Sequence, residues 1–335
     1  MLVSVLVPFF NVEDFIERCA KSLFEQTYPH LEYVFVDDCS TDRSMNKLSE
    51  VASRYPEKAD SIHFVRNEKN LGLACCRNIA MSHATGVFVS IVDADDWTEP
   101  DMIERMVERQ KETDADIVSV DTFIRRQKGT SELKQEVFQE EHERKLYYIG
   151  HIPCFRLTIW GRLIRRSLFT ENNIKTIDGF NYAEDKLTIT LLMYHAKTVS
   201  NVTTPLYHYN RMNEKSYVGK IEKYGFSHAI FQEEKGNLLA LEHFFADKEH
   251  EYYEEALRCN INYFLNKLRW ALLHSSEMVY EECVNYLYRN PAVSHLLPAT
   301  TKEKARKILC SHLGCRHVAS LQKLVRRIKR LKFWK

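Results

Sequence analysis

The chain opens with LVSVLV at residues 2–7, almost wholly apolar and β-branched, as a strand covered on both faces requires. Pro8 and Asn11 end that run. Residues 13–25 then place Phe15, Ile16, Cys19, Leu23 and Phe24 at helical spacing and close in the turn-rich TYPH. The alternation repeats. YVFVDD predicts a strand, and Ser40 to Tyr55 a helix with Thr41 or Asp42 as its cap. IHFVR at 62–66 predicts a third strand, a helix follows Leu71-Gly72, and VFVSIV at 87–92 predicts a fourth strand. Glu99 to Glu112 has helical spacing, and Asp116 to Val120 is again strand-like. This alternation predicts an α/β fold with a doubly wound, mixed but mostly parallel sheet.

Residues 121–150 are polar and charged, which predicts a surface excursion with a hairpin turn at Gly129-Thr130. Three mixed segments follow: CFRLTIWGRLIRRSLF, NYAEDKLTITLLMYH and PLYHYNR. Beyond residue 221 apolar residues recur at helical spacing with few Pro or Gly. We therefore expect a catalytic unit over 1–220 and a helical region over 221–335.

Composition adds three constraints. With 335 residues, 44% of them hydrophobic, the chain can bury a sizeable core. The net charge of +1 hides a division: from residue 301 onward 12 Lys and Arg face Glu303 alone, so the tail carries +11 and the remainder −10. Nine cysteines without framework spacing predict a reduced, cytoplasmic protein. MLVSVLVPFFN lacks a basic n-region and does not read as a signal peptide, and no window is apolar enough to span a bilayer.

In doubly wound sheets ligands bind outside the carboxyl ends of the strands. PFFN, DDCSTD and DADD fall there, with no GxGxxG or GxxxxGK[ST] beside them. Adjacent carboxylates repel, and a hard divalent ion shared with a diphosphate neutralises them. A solvated turn capping a helix is the competing reading for each acidic cluster taken alone.

Taken in order, VPFFNVEDFIERCAKSLFEQTY, VDDCSTD, NLGLACCRN and VDADDW resemble the family 2 glycosyltransferases of GT-A fold, over residues 3 to about 216. The resemblance implies an inverting transfer of a sugar from a nucleotide donor, a UDP-sugar, to an acceptor hydroxyl, with Mn²⁺ or Mg²⁺ as cofactor. It points to Pro8, Phe10 and Asp38 around the uridine and to Asn70 and Arg77 at nucleotide or phosphates. Asp93, Ala94 and Asp95 match the metal and sugar-nucleotide motif, with Asp95 the direct ligand. Phe10 stands where the family has Tyr, and Arg162 where a Trp-x-Lys-Leu segment has Lys. Trp160 and Glu184 then border the acceptor, Asp185 is the general base, His208 is a second metal ligand, and Arg211 and Ser216 close over the diphosphate. Asp96 is left to a structural role.

Two features lie outside that pattern. CSHLGCRH offers zinc ligands at a spacing unlike common knuckles. Residues 318–335 put Val318, Leu321, Leu324, Val325, Ile328 and Leu331 on one helical face and Lys and Arg on the other, the composition of an interfacial helix on anionic lipid. A lipid-linked saccharide acceptor at the inner face of the plasma membrane, in bacterial capsule, exopolysaccharide or lipopolysaccharide assembly, suits that helix; nucleic acid is not the expected partner. The rival functions are a sugar-nucleotide nucleotidyltransferase, a Mg²⁺ phosphatase and a non-catalytic saccharide- or nucleotide-binding module.

Overall fold

The computed structural model of the chain describes residues 1–151, 157–274, 276–294 and 296. In chain order come β1 (Val3–Phe9), α1 (Ile16–Phe24), β2 (Leu31–Asp37), α2 (Ser44–Ala52), β3 (Ile62–Arg66), α3 (Leu73–His83), β4 (Phe88–Ile91), β5 (Trp97–Thr98) and α4 (Met102–Thr113). They continue with β6 (Ile117–Arg126), β7 (Gly129–Leu133), α5 (Glu141–Gly150), β8 (Arg162–Arg165), α6 (Arg166–Glu171), α7 (Glu184–His195), β9 (Val199–Asn210) and α8 (Tyr217–Tyr224). The helices α9 (His228–Phe245), α10 (His250–His274), α11 (Glu277–Val284) and α12 (Pro291–Ser294) follow.

One mixed sheet runs in the order β3-β2-β1-β4-β8-β6-β9-β5, with β7 added to β6. β3, β2, β1 and β4 are mutually parallel, β8 lies antiparallel to both β4 and β6, and β6 and β9 are parallel again. The chain leaves β1 toward β2 and returns on its other side at β4. That reversal opens a crevice at the carboxyl ends of β1 and β4.

The period-two pattern of β1 explains the two cores. Val3, Val5, Val7 and Phe9 join a cluster with α1, α2 and α4, whereas Leu6 joins one with α3, α6 and α7 on the opposite face. Both faces are covered, so all seven residues of β1 are buried.

Two local expectations change. The predicted helix cap at Thr41 or Asp42 is one or two residues early: Arg43 occupies the cap position, and Asp42 accepts from the Ser44 amide at 2.9 Å. The expected hairpin over residues 121–150 is present and β7 is largely exposed, but the segment begins inside the sheet. β6 continues to Arg126 alongside β9, with Asp121, Thr122 and Ile124 buried, and Gly129 and Thr130 are already in β7. α5 then docks on α7 through Arg144, whose guanidinium donates to the carbonyls of Met193 and Ala196 at the end of that helix.

The described residues from Leu241 onward form a second compact unit, the first being Met1–Ala240. In the second, α10 packs on α11, and Glu242 accepts from Asn260 at 2.6 Å. Among the described residues no helix is long and apolar enough to cross a membrane. CSHLGCRH and the segment 318–335 lie outside the described residues.

Candidate active site

The turns after β1 and β2 are knitted together. Asn11 adopts a left-handed φ of 51° and accepts through Oδ1 from the Thr41 amide at 2.8 Å, while its own amide donates to Ser40 Oγ at 3.1 Å. Val12 donates to Ser44 Oγ at 2.8 Å and Glu13 to Asp42 Oδ2 at 3.1 Å. These bonds consume the polar groups of STD and leave Phe10, beside buried Pro8, 43% exposed on the crevice edge. An exposed aromatic face there suits stacking on a flat heterocycle.

Asp38 is buried, and its carboxylate accepts from the amides of Leu71 and Gly72 and from Asn67 Nδ2, each at 2.8 Å. It therefore pins the loop before α3, and of its four lone-pair sites three are taken. Asn70, exposed in that loop, donates to the Asp38 carbonyl at 3.4 Å. Gly72 has a φ of +89°, and a Cβ there would come within 2.3 Å of Asn181 Oδ1. Only glycine fits both the dihedral and the gap.

The three aspartates after β4 separate into different jobs. Asp96 is fully buried; it accepts from Tyr207 Oη and from the Asn210 amide, both at 2.7 Å, and so fixes β9 rather than capping α4. Burial, then the charges of Asp95 and Asp93, raise its proton affinity well above that of an ordinary aspartate. Asp95 is partly buried and accepts through Oδ2 from Asn213 Nδ2 at 2.7 Å. Burial, followed by the Asp93 charge, pushes Asp95 up to about 6. Asp93 points the other way, to Arg77 Nη2 at 3.0 Å.

Arg77 is the hub. It rises from the first turns of α3 with its side chain 4% exposed, and its Nη1 pairs with both Glu184 and Asp185 at the start of α7. Burial opposes its charge, but Asp185, Glu184 and Asp93 outweigh that and hold it protonated. Burial raises Glu184 to about 8 and raises Asp185 also, each against the pull of Arg77. The pair is aimed by Ala183, whose φ of 59° is left-handed for a residue with a Cβ. Asp185 remains 19% exposed and Glu184 only 6%, so Asp185 is the carboxylate an external group can reach.

Trp160, expected at the acceptor, is buried. It stacks on Tyr207 at 4.8 Å and on Tyr209 at 5.1 Å, supporting β9 from inside the core. Arg162 is fully buried too, held by the Thr158 carbonyl, Ser119 and Gln135. Ala94 is buried between its two aspartates. Ser216 caps α8, accepting from the Gly219 amide at 3.0 Å, and Arg211 pairs with Glu222.

His208, expected as a metal ligand, is placed differently. It lies between Trp97 and Phe123, with ring separations of 4.8 and 4.9 Å, its Nδ1 accepts from Arg125, and its Nε2 meets Glu99 at 2.7 Å. Both ring nitrogens are engaged, and the arginine on Nδ1 selects the Nε2-protonated tautomer. Among the described residues no group of three or more His, Cys, Asp or Glu side chains is set to hold a metal by itself. The donor set that fits a hard cation is the carboxylate of Asp95, crowded by Asp93, with further oxygens left to water and substrate phosphates.

Asn210 and Asn213, which bond to the backbone and side chain of Asp95, were not singled out by sequence reasoning. A cavity of about 300 Å³ lies behind the hub; its lining includes Arg77, Met81, Ile91, Ile159, Phe169 and Thr188 but none of the three carboxylates.

Comparison with known proteins places this geometry. A family model described as glycosyl transferase family 2 matches residues 4–172. The putative glycosyltransferase EpsH of Bacillus subtilis is 31% identical over 229 residues, covering 66% of this chain and 64% of EpsH. The putative teichuronic acid biosynthesis glycosyltransferase TuaG of the same organism is 39% identical over 107 residues, 32% of this chain and 41% of TuaG. The chain thus spans less than two thirds of the length of these curated relatives. The structure of Staphylococcus aureus TarS residues 1–349 in complex with UDP superposes with a TM-score of 0.62 at 23% identity, covering 86% of this chain and 79% of that one; at this identity the likeness shows the shared fold.

Proposed function

The chain belongs to glycosyl transferase family 2, and we propose that it transfers a sugar from a UDP-sugar to an acceptor hydroxyl with inversion, in the assembly of a bacterial polysaccharide. The observation that carries this reading is the single crevice edge on which exposed Phe10 and the loop pinned by Asp38 adjoin a partly exposed aspartate pair and a partly exposed Asp185.

In this reading the Phe10 ring stacks on the uracil, and Pro8 fixes the strand end that presents it. Asp38 and Asn70 shape the loop that closes around the nucleoside. Mn²⁺ or Mg²⁺, held through Asp95, would offset the charge of the departing nucleoside diphosphate. Asp93 faces the donor sugar. Asp185 accepts the acceptor hydroxyl's proton as that oxygen attacks the anomeric carbon, and burial, against the pull of Arg77, raises its proton affinity above that of an ordinary aspartate. The nucleotidyltransferase and phosphatase rivals lose ground, because the family match covers the strands that carry PFFN, DDCSTD and DADD. The UDP of TarS and the teichuronic acid of TuaG belong to those proteins and support the donor and product classes only by analogy.

The acceptor is proposed to be a lipid-linked saccharide met at the inner face of the plasma membrane, with residues 318–335 as the peripheral contact. Liposomes containing anionic lipid should bind the full chain and not a chain ending at Gly314; equal binding by both would remove that contact. The donor class is tested by screening UDP-sugars for turnover in Mn²⁺. Release of UDP from at least one is expected, and turnover confined to another nucleotide would overturn the assignment.

A further inference from the structure

We propose that Arg77 is a positioning residue, the shared counter-ion that locks Asp93 of the donor side and Asp185 of the acceptor side into one fixed geometry, and not a ligand of the donor's phosphates. This inference rests on the reading of Asp185 as the base and departs from the sequence expectation for Arg77.

The hydrogen-bond inventory of the guanidinium carries it. Nη1 has two N–H groups, and Glu184 and Asp185 take them; Nη2 gives one to Asp93 at 3.0 Å. Nε is buried without a partner among the described residues, and Arg77 lines the cavity behind the hub rather than open crevice alone. With 4% of its side chain exposed, Arg77 could reach a phosphate only by abandoning carboxylates that would then be buried without a counter-charge. The planar fork suits this bridging role as a lysine's point charge does not.

The surroundings hold the bridge from both sides. Asn181 accepts from the Ala74 amide at 3.1 Å, tying the loop before α7 to the first turn of α3. Glu233 accepts from the amides of Asn181 and Tyr182, both at 2.8 Å, and fixes the same loop from α9. Ala183 then turns Glu184 and Asp185 toward Arg77. Glu184, the less exposed acid, completes the charge environment, and Asp185 keeps an accessible edge. Removing the guanidinium should therefore misplace Asp185 while leaving the nucleotide end, organised by Asp38, intact.

The test reads UDP affinity and turnover separately in the full chain with Mn²⁺. Calorimetry measures UDP binding, and kcat is taken with whichever of UDP-glucose, UDP-galactose, UDP-N-acetylglucosamine and UDP-glucuronate the unmodified protein turns over fastest. R77K and R77M should bind UDP within about threefold of the unmodified protein and lose at least about a hundredfold in kcat, R77M more than R77K. R77M/E184Q, with one titrating carboxyl fewer beside Asp185, should recover part of kcat relative to R77M. Should R77M fail to fold, R77K and the double variant still decide the matter. A fall of about thirtyfold or more in UDP affinity in R77K, with no recovery in the double variant, would make Arg77 a phosphate ligand and overturn the proposal. D185N is the separate control: retained turnover there removes the base assignment, whereas the UDP affinities of the Arg77 variants judge the positioning role independently.

Discussion

The two ends of the crevice are built from different interactions. At the nucleotide end, Asp38 is satisfied by two backbone amides and an asparagine, and Asn11 by the amides of the neighbouring turn. At the acidic end, Asp93, Glu184 and Asp185 converge on one buried guanidinium. Backbone amides cannot change charge, so the first end is a fixed mould. The second is a balance of charges, and its proton affinities are displaced. The contrast matches the division of labour proposed above, binding at one end and proton transfer at the other.

Removing the base should have the largest effect. Asp185→Asn is expected to lower kcat by about 10² to 10⁴, the usual span for general-base removal, with UDP affinity unchanged. If kcat and UDP affinity fell together, the two ends would not be separable. At the nucleotide end, Gly72→Ala combines a left-handed φ with a clash against Asn181 and should cost about 2 kcal/mol of stability, read by denaturant unfolding. Tolerance of alanine would mean that the loop is looser than the hydrogen bonds of Asp38 imply.

The ends should also differ in pH response. Glu184 is raised to about 8 by burial, above its value in an unfolded chain, so the folded state binds the extra proton. Its stabilising contribution is full below about pH 4.5 and is lost as pH rises toward about 8. Glu184→Gln should flatten the fall of melting temperature over that window. An unchanged slope would show that Glu184 is not the group responsible. The smallest effect is expected at Asn213, which occupies Asp95 Oδ2. Asn213→Ala should tighten binding of UDP with Mn²⁺ by about two- to fivefold, the worth of one hydrogen bond no longer displaced, and weaker binding would give Asn213 a direct role.

How far the sequence revealed these ends follows the same contrast. The strands and the turns PFFN and DDCSTD were legible because their apolar runs and turn residues are local, and neighbouring turns bond to each other. The hub was not. Arg77 meets Glu184 and Asp185 across 107 and 108 residues, and no periodicity records that meeting. The sequence shows Arg77 only as an arginine in NLGLACCRN, with no sign of Glu184 and Asp185 as its partners. The surroundings of His208 are hidden for a similar reason: the cross-strand neighbours Trp97 and Phe123 that sandwich it come from β5 and β6, and the sequence pattern carries β6 only to Val120. Left-handed Cys39 and Ala183 also carry no reliable signal, since only glycine and asparagine advertise that conformation.

The most direct test of the two-ended account compares Asp38→Asn with Asp185→Asn in one set of UDP-affinity and kcat measurements. Asp38→Asn should loosen the Leu71-Gly72 loop and weaken UDP binding by about tenfold or more while sparing kcat. Asp185→Asn should spare UDP affinity and remove turnover. Both variants shifting the same parameter would contradict the division between a binding mould and a charge-balanced base.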